Sequence, residues 1–328
     1  MRPIIGMRGR RYHRAMQHFD ADATRDALPF DALIAALRAL FVSGCEVPLR
    51  HTHTLAAGDG SAGTLLIMPA WLPGQYLGIK TVSVFAGNAA RGLPGLFATY
   101  MLHDAGTGRP LAQMDGDQIT ARRTAAASAL AASMLARADA RRLLVVGAGR
   151  VAALLPQAYR AVRPIERVEV WARRPAQAET LAAQWRDAGL DATAVTDLAG
   201  AAAAADVVSC ATLATEPLVQ GAWLRPGSHL DLIGGFTPRM READDACFAG
   251  AGIYVDTDEA LQKSGDLLGP MSRGVFVAED VRGTLATLCR GQARSRQSND
   301  ERTVFKSVGN ALEDLAAAML VWQSRRQT

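Results

Sequence analysis

The chain has 328 residues, room for two domains, and its 49 % apolar and 21 % charged content is that of a globular protein. No apolar run approaches the ~18 residues of a membrane span, and the basic start lacks the apolar core of a secretory signal. The formal charge of +4 comes from Arg2, Arg8, Arg10, Arg11 and Arg14: taking these five from 36 basic residues leaves 31 against 32 acidic ones, a net of −1. A neutral body excludes the electrostatic footprint of a nucleic-acid binder, so neither nucleic acid nor membrane is an expected partner. Residues 1–16 read as a disordered extension, or as sequence ahead of a true start at Met16. Cys45, Cys210, Cys247 and Cys289 show neither CxxC nor metal spacing and are expected to be reduced thiols in a cytoplasmic protein.

Over residues 20–42, Leu28, Phe30, Leu33, Ile34, Leu37, Leu40 and Phe41 recur at helical spacing, and Gly44 stops the pattern. Strand-like runs come next at 47–54, 64–68, 77–85, 97–102 and 111–114, with turns at Gly58-Asp59-Gly60 and through 104–108. They predict an antiparallel sheet with one helix. His51 and His53 have no third ligand nearby and read as strand residues, so no metal is expected. Residues 119–140 form an alanine-rich helix, capped by Thr120 or Asp117, which acts as the hinge between this domain and the next.

Residues 143–146 are an apolar run of the length of a buried parallel strand. Gly147-Ala148-Gly149, with Ala152 in the third glycine position, then opens a helix at Arg150. Gly147 suits the tight turn, Gly149 lets backbone approach a pyrophosphate, and Ala152 allows close helix–strand packing. Around Arg150 and Val151 the helix offers free N–H groups and a positive dipole end. The next strand, 167–172, ends in Arg173-Arg174 where a NAD-specific site would carry an acid for the ribose hydroxyls. Two guanidinium groups suit a 2′-phosphate, so NADP(H) is the preferred cofactor and NAD(H) the alternative. Pro156 predicts a kink in the phosphate helix. Helices at 176–188 and 199–205 alternate with strands at 194–195, 207–212, 228–233 and 253–256. Ligands of open α/β sheets lie at the carboxyl ends of strands, which places Thr212, Gly234 and Gly235 by the nicotinamide. A final helix over 304–323 is expected to return to the first domain.

Only Lys80, Lys263 and Lys306 among the 36 basic residues are lysines. Two of them fall in blocks that together resemble the ornithine cyclodeaminase and mu-crystallin family. The blocks are Val47-Pro48-Leu49-Arg50, Ile67-Met68-Pro69, Gly78-Ile79-Lys80, residues 119–126, the glycine turn, residues 238–242, and residues 304–309 with Glu313 and Asp314. The resemblance implies an α/β fold class: a Rossmann dinucleotide-binding domain (residues 126–303) plus a sheet-rich α+β domain (17–125 with 304–328) for substrate binding and homodimerisation. It further implies that Arg50, Lys80 and Arg123 hold a substrate carboxylate and its neighbouring groups, and that Lys306 and Ser307 lie near the cofactor. The chemistry agrees, since a carboxylate suits a forked guanidinium and a point cation. A lysine in a dry pocket also has a lowered pKa and handles protons. Lys263 has no such support and reads as surface.

Two departures bear on the activity. Ornithine cyclodeaminases resemble this chain through the block after Gly234-Gly235 but carry an essential aspartate where Phe236 stands. A second family acid, before the Met-Pro pair, falls on Leu66. Burying an ornithine ammonium against Phe and Leu is costly, whereas a planar, largely apolar cyclic imine fits. The sequence is similar to the branch that reduces Δ1-pyrroline-2-carboxylate to proline, so the expected activity is NAD(P)H-dependent reduction of a cyclic imino acid. Arg50 and Arg123 would clamp the carboxylate and Lys80 assist at the nitrogen; Asp231 and a water are the candidate proton donors. The alternatives are NAD+-dependent ornithine cyclodeamination, alanine dehydrogenation, and NADPH-dependent small-ligand binding of the mu-crystallin type.

Overall fold

The computed structural model describes residues 15–56 and 62–325. The expected turn at Gly58–Gly60 and residues 1–14 lie outside it. β1 (Gln17–Phe19) is followed by α1 (Ala21–Asp26), whose first turn is capped by Asp20 accepting from Ala23 N at 2.8 Å. The single helix expected over 20–42 is two helices. Pro29 has extended backbone and starts α2 (Phe30–Ser43), because a proline disfavours helical backbone in the residue before it. The six apolar residues of α2 turn inward as their spacing predicts, and Gly44 ends the helix at φ +76°.

β2 (His51–Ala56), β3 (Ala62–Leu72), β4 (Tyr76–Val84), β5 (Leu96–Asp104) and β6 (Pro110–Asp115) join β1 in a six-stranded sheet, ordered β1-β6-β5-β4-β3-β2. It is antiparallel except where β1 lies parallel to β6. The strand expected at 47–54 begins only at His51. Pro48 has no N–H for a ladder, and before β2 only Glu46 bridges to Trp71 of β3. Arg50 is therefore left at the mouth of the strand. Met68, Lys80, Tyr100 and Met114 stand opposite one another across four strands and share the covered face.

α3 (Gly116–Leu135) starts and ends earlier than expected. Its cap is Asp115, accepting from Gln118 N at 2.7 Å, rather than Thr120 or Asp117. Ala125, Ala126, Ala127, Ala129, Ala131 and Ala132 are all buried. They have to be small because α3 touches α2 on one side and both sheets on others, and close approach on several faces leaves no room for longer side chains.

The second region contains β7 (Arg142–Val146), α4 (Arg150–Arg160), β8 (Arg167–Trp171), α5 (Pro175–Asp187), β9 (Asp191–Ala194), α6 (Leu198–Ala204), β10 (Val207–Cys210), β11 (His229–Leu232), β12 (Gly252–Val255), α7 (Ala260–Lys263), α8 (Gly265–Ser272), β13 (Val281–Thr284), α9 (Leu285–Cys289) and β14 (Thr303–Lys306). Its eight strands are all parallel, in the order β13-β12-β14-β11-β10-β7-β8-β9. The order reverses between β7 and β10, which opens the crevice where this topology binds ligands. α4 runs through Pro156 to Arg160.

The helix expected over 304–323 is corrected by the structure. Residues 303–306 are β14, inserted between β11 and β12 with all four residues buried, and the helix proper is α10 (Ala311–Ser324). The run Thr303-Val304-Phe305-Lys306 is buried on both sheet faces, so no alternation betrays it as a strand. Gly309, at φ +83°, turns the chain out of the parallel sheet, and α10 then packs on α2, α3 and the first sheet. The boundary expected at 303/304 thus falls inside β14, and the crossing back comes after Lys306. β13 and α7 to α9 have no counterpart in the sequence-based expectation. No helix among the described residues is long and apolar enough to cross a membrane.

Candidate active site

The glycine turn behaves as its residues predict. Gly147 sits at φ +121°, and a Cβ there would lie 2.5 Å from the Ala211 carbonyl oxygen, so only glycine fits between β7 and the end of β10. Gly149 starts α4 without a side-chain cap, and a Cβ on it would meet nothing within 4 Å. The first N–H groups of α4 therefore face open space, the geometry that receives a pyrophosphate. Ala152 is fully buried beneath them. Val151 is half-buried, and Arg150 is exposed, 3.3 Å from Asp117 in the first turn of α3. A cleft of about 360 Å³ runs over Gly147 and Gly149 to Thr212, with Arg173 and Arg174 on its wall. Both arginines are exposed, and Arg174 Nε donates to Gln177 at 3.0 Å. These features fit a dinucleotide: a bare backbone turn, an uncapped helix start, and two guanidinium groups beyond β8.

Thr212 and Gly234 lie just past β10 and β11 and are tied together by a residue given no role from sequence. Glu242 Oε1 accepts from Thr212 N (2.7 Å) and Oγ1 (2.8 Å), and its Oε2 accepts from Gly234 N (2.6 Å). Burial pushes the Glu242 carboxyl up to about 7, against the pull of Lys306. Asp266 Oδ1 in turn accepts from the Glu242 and Ala243 N–H groups, and its Oδ2 lies 3.2 Å from Lys306 Nζ. Ser307 is buried and donates its N–H to Leu232, so it sits at the strand ends without lining the cleft. Phe236, two residues beyond Gly234, is 45 % exposed.

The three cations expected to hold substrate converge on the turn 309–314. Arg50 donates from NH2 to the Gly309 carbonyl at 3.2 Å. A Cβ on Gly309 would come within 2.9 Å of Arg123 NH1 and NH2, so the guanidinium lies against bare backbone. Arg123 Nε donates to Asp314 (2.9 Å) and NH1 to Glu313 (2.6 Å). Lys80 Nζ lies 2.7 Å from Asp314 and 3.3 Å from Thr120 Oγ1. All four charged side chains, Lys80, Arg123, Glu313 and Asp314, are buried. Lys80 and Arg123 are therefore not free cations awaiting a substrate: each already has a buried acid partner. The expected motif contained Glu313 and Asp314 without assigning them this part.

Burial lowers Lys80 to about 8; Asp314 opposes the shift and Arg123 adds to it. Burial also works against the Arg123 charge, but Asp314 and Glu313 outweigh it and hold the guanidinium above its usual range. The turn itself is anchored from the nucleotide sheet. Asp256, at the end of β12, accepts from Val308 N (2.8 Å), Gly309 N (2.7 Å) and Thr257 N (2.8 Å).

Asp231 is not placed to donate a proton. It lies within β11 and its carboxylate is filled by Ser128 (3.1 Å), Tyr159 (2.9 Å) and Ser209 (2.5 Å). It ties the sheet to α3 and α4. Burial raises it to about 6 while the three hydroxyls oppose the shift. His51 and His53 are exposed on β2, and no group of His, Cys, Asp and Glu among the described residues is arranged to hold a metal. Lys263 pairs with Glu259 near the surface.

A parallel sheet with a bare glycine turn, beside a second sheet that carries a cluster of buried, paired charges, defines a Rossmann-type oxidoreductase architecture. The chain belongs to the ornithine cyclodeaminase/mu-crystallin family, whose model matches residues 27–328. It is 48 % identical over 282 residues to the Δ1-pyrroline-2-carboxylate reductase of Paracoccus denitrificans, covering 83 % of this chain and 89 % of the relative. Among solved structures it is similar to the Δ1-pyrroline-2-carboxylate reductase of Thermococcus litoralis in complex with NADH and L-proline. That match has a TM-score of 0.88 at 32 % identity, over 95 % of this chain and 98 % of the other. An archaeal alanine dehydrogenase dimer with bound NAD superposes with a TM-score of 0.86 at 29 % identity, over 95 % and 96 % of the two chains.

Proposed function

We propose that the protein is an NAD(P)H-dependent imine reductase that converts Δ1-pyrroline-2-carboxylate to L-proline. The observation that carries this reading is the apolar side chain of Phe236 at the strand end where the family's deaminating members place an acid, in a chain that keeps Arg50, Lys80 and Arg123 together at one turn. No carboxylate stands at that position for a substrate ammonium, whose burial is costly. Relatives at 48 % and 32 % identity bear the same activity in their names.

A bound reduced nicotinamide supplies the hydride for the C=N carbon, and the nitrogen gains a proton. The rest of the work falls to the chain. Arg50 and Arg123 orient the substrate carboxylate, so that alignment is supplied by binding. Lys80, lowered to about 8 by burial, is the acid within reach of the carboxylate turn and protonates the imine nitrogen. Gly234, expected at the nicotinamide, is instead buried: a Cβ there would overlap the Thr212 carbonyl, so the glycine lets the ends of β10 and β11 close together around Glu242. Arg173 and Arg174 support NADP(H) as the preferred cofactor, with NAD(H) the alternative. The fully exposed β2, with Leu55 on it and Phe97 on β5, supports a homodimer through the first sheet. Four free cysteines support a reducing, cytoplasmic setting.

A paired assay tests the activity. Oxidation of NADPH and NADH is followed with Δ1-pyrroline-2-carboxylate and its six-membered homologue, and ammonia release from L-ornithine is followed with NAD+. Imine-dependent oxidation without ammonia is expected. Ammonia release would overturn the reading of Phe236, and cofactor binding without any turnover would favour a binding protein.

A further inference from the structure

Three buried carboxylates, Asp256, Glu313 and Asp314, meet two buried cations, Lys80 and Arg123, around the turn that seats Arg50. A substrate carboxylate brought to Arg123 adds another negative charge to a region closed to water, where neighbouring acids cannot all stay ionised. Hydrogen bonding decides which of them yields. Asp256 is held by three backbone N–H groups. Asp314 receives Arg123 on one oxygen; its other oxygen accepts no hydrogen bond either, but lies 2.7 Å from the Lys80 ammonium, whose charge keeps it ionised. Glu313 meets Arg123 through Oε2 alone, and its Oε1 is buried with no hydrogen-bond partner.

We propose that Glu313 is a positioning residue that takes up a proton as the substrate carboxylate binds, and so releases one edge of the Arg123 guanidinium to the substrate. The inference rests on reading the pocket as a carboxylate site. The proton comes from solvent on binding and returns on release, so no bond of the substrate changes in this step. The charged groups facing Glu313 are Arg123 from α3, Asp256 from the end of β12 and Asp314 on α10 itself; Lys80 of β4 stands behind Asp314, and Arg50 behind Gly309. Burial pushes Glu313 up to about 7; Arg123 opposes this, while Asp256 and Asp314 add to it. The protonated form is thus reached near neutral pH. Lys80, lowered to about 8, is the rival site of proton uptake.

The test is calorimetry of pyrrole-2-carboxylate, a planar anion without a basic nitrogen, binding to the full chain loaded with NADH. Each titration is run in two buffers of different ionisation heat, across pH 6 to 9. Uptake half-developed near pH 7 and approaching one proton per ligand by about pH 8 is expected. In Glu313→Gln the remaining uptake should be centred near pH 8, where Lys80 titrates. Binding without uptake, a wild-type midpoint near pH 8, or unchanged uptake in the variant would overturn the proposal. The wild-type profile decides alone if the variant does not fold. Absence of pyrrole-2-carboxylate binding would overturn the carboxylate-site reading and this inference together.

Discussion

At the nucleotide turn the working parts are things left out. Gly147 has no side chain because the Ala211 carbonyl occupies its place, and Gly149 leaves open space at the start of α4. Those parts lie within a few residues of one another. The substrate end is made of charges buried and neutralised. Lys80, Arg123, Glu313 and Asp314 come from three elements, and Arg123 reaches acids 190 and 191 residues away in sequence. The nucleotide turn therefore tolerates solvent and depends on backbone conformation. The substrate cluster depends on every member being present, since a buried charge that loses its partner keeps its desolvation cost.

The sharpest way to break this contrast is Asp314→Ala. It strips Lys80 and Arg123 of their shared acid, and the expected loss of stability in denaturant unfolding is about 3–5 kcal/mol. A loss below about 1 kcal/mol would show that the cluster is not held by its pairing. Lys80→Ala comes next. Turnover should fall on the order of 100-fold, with NADH affinity, read by fluorescence, unchanged because the lysine touches no part of the nucleotide cleft. Unchanged turnover would remove Lys80 from the chemistry. The pH profile gives the sign of its role. A lysine acting as acid works in its protonated form, so kcat, which does not include the proton uptake by Glu313 on binding, should be level below about pH 8 and fall about tenfold per pH unit above it. A rise above pH 8 would instead make the neutral amine the working form. The smallest effect belongs to the exposed arginines. Changing Arg173 and Arg174 together to alanine should lower the preference for NADPH over NADH about tenfold, the scale of one modest charge-assisted contact, and leave Tm unchanged. An unaltered ratio would place the 2′-phosphate elsewhere.

Legibility in the sequence differs from element to element. The glycine turn and most of the βαβ succession come from short apolar runs and local spacing and stand where expected, while the strand expected at 194–195 is β9 at Asp191–Ala194, a half-exposed strand without an apolar run. Arg50, Lys80 and Arg123 are legible as a group through their motifs, and the structure brings them to one turn. Read from those motifs alone, Lys80 and Arg123 are free clamps, because charge pairing across α3, β4 and α10 has no local signature. Residues 303–306 are expected in a helix because a strand buried on both faces shows no alternation. Asp231 is a plausible acid by its place near a strand end, but only the packing of α3 and α4 reveals Ser128 and Tyr159 filling its carboxylate.

The amino-acid sequence alone settles the fold class, the family and the place of the glycine turn, and it singles out Arg50, Lys80 and Arg123, because each rests on residues adjacent in the chain or on motifs in a set order. Packing in three dimensions settles which acids neutralise those cations, that Glu242 ties the ends of β10 and β11, and that Asp256 anchors the turn carrying Gly309. These depend on side chains far apart in sequence meeting in a dry interior, where burial and pairing set charge and geometry together.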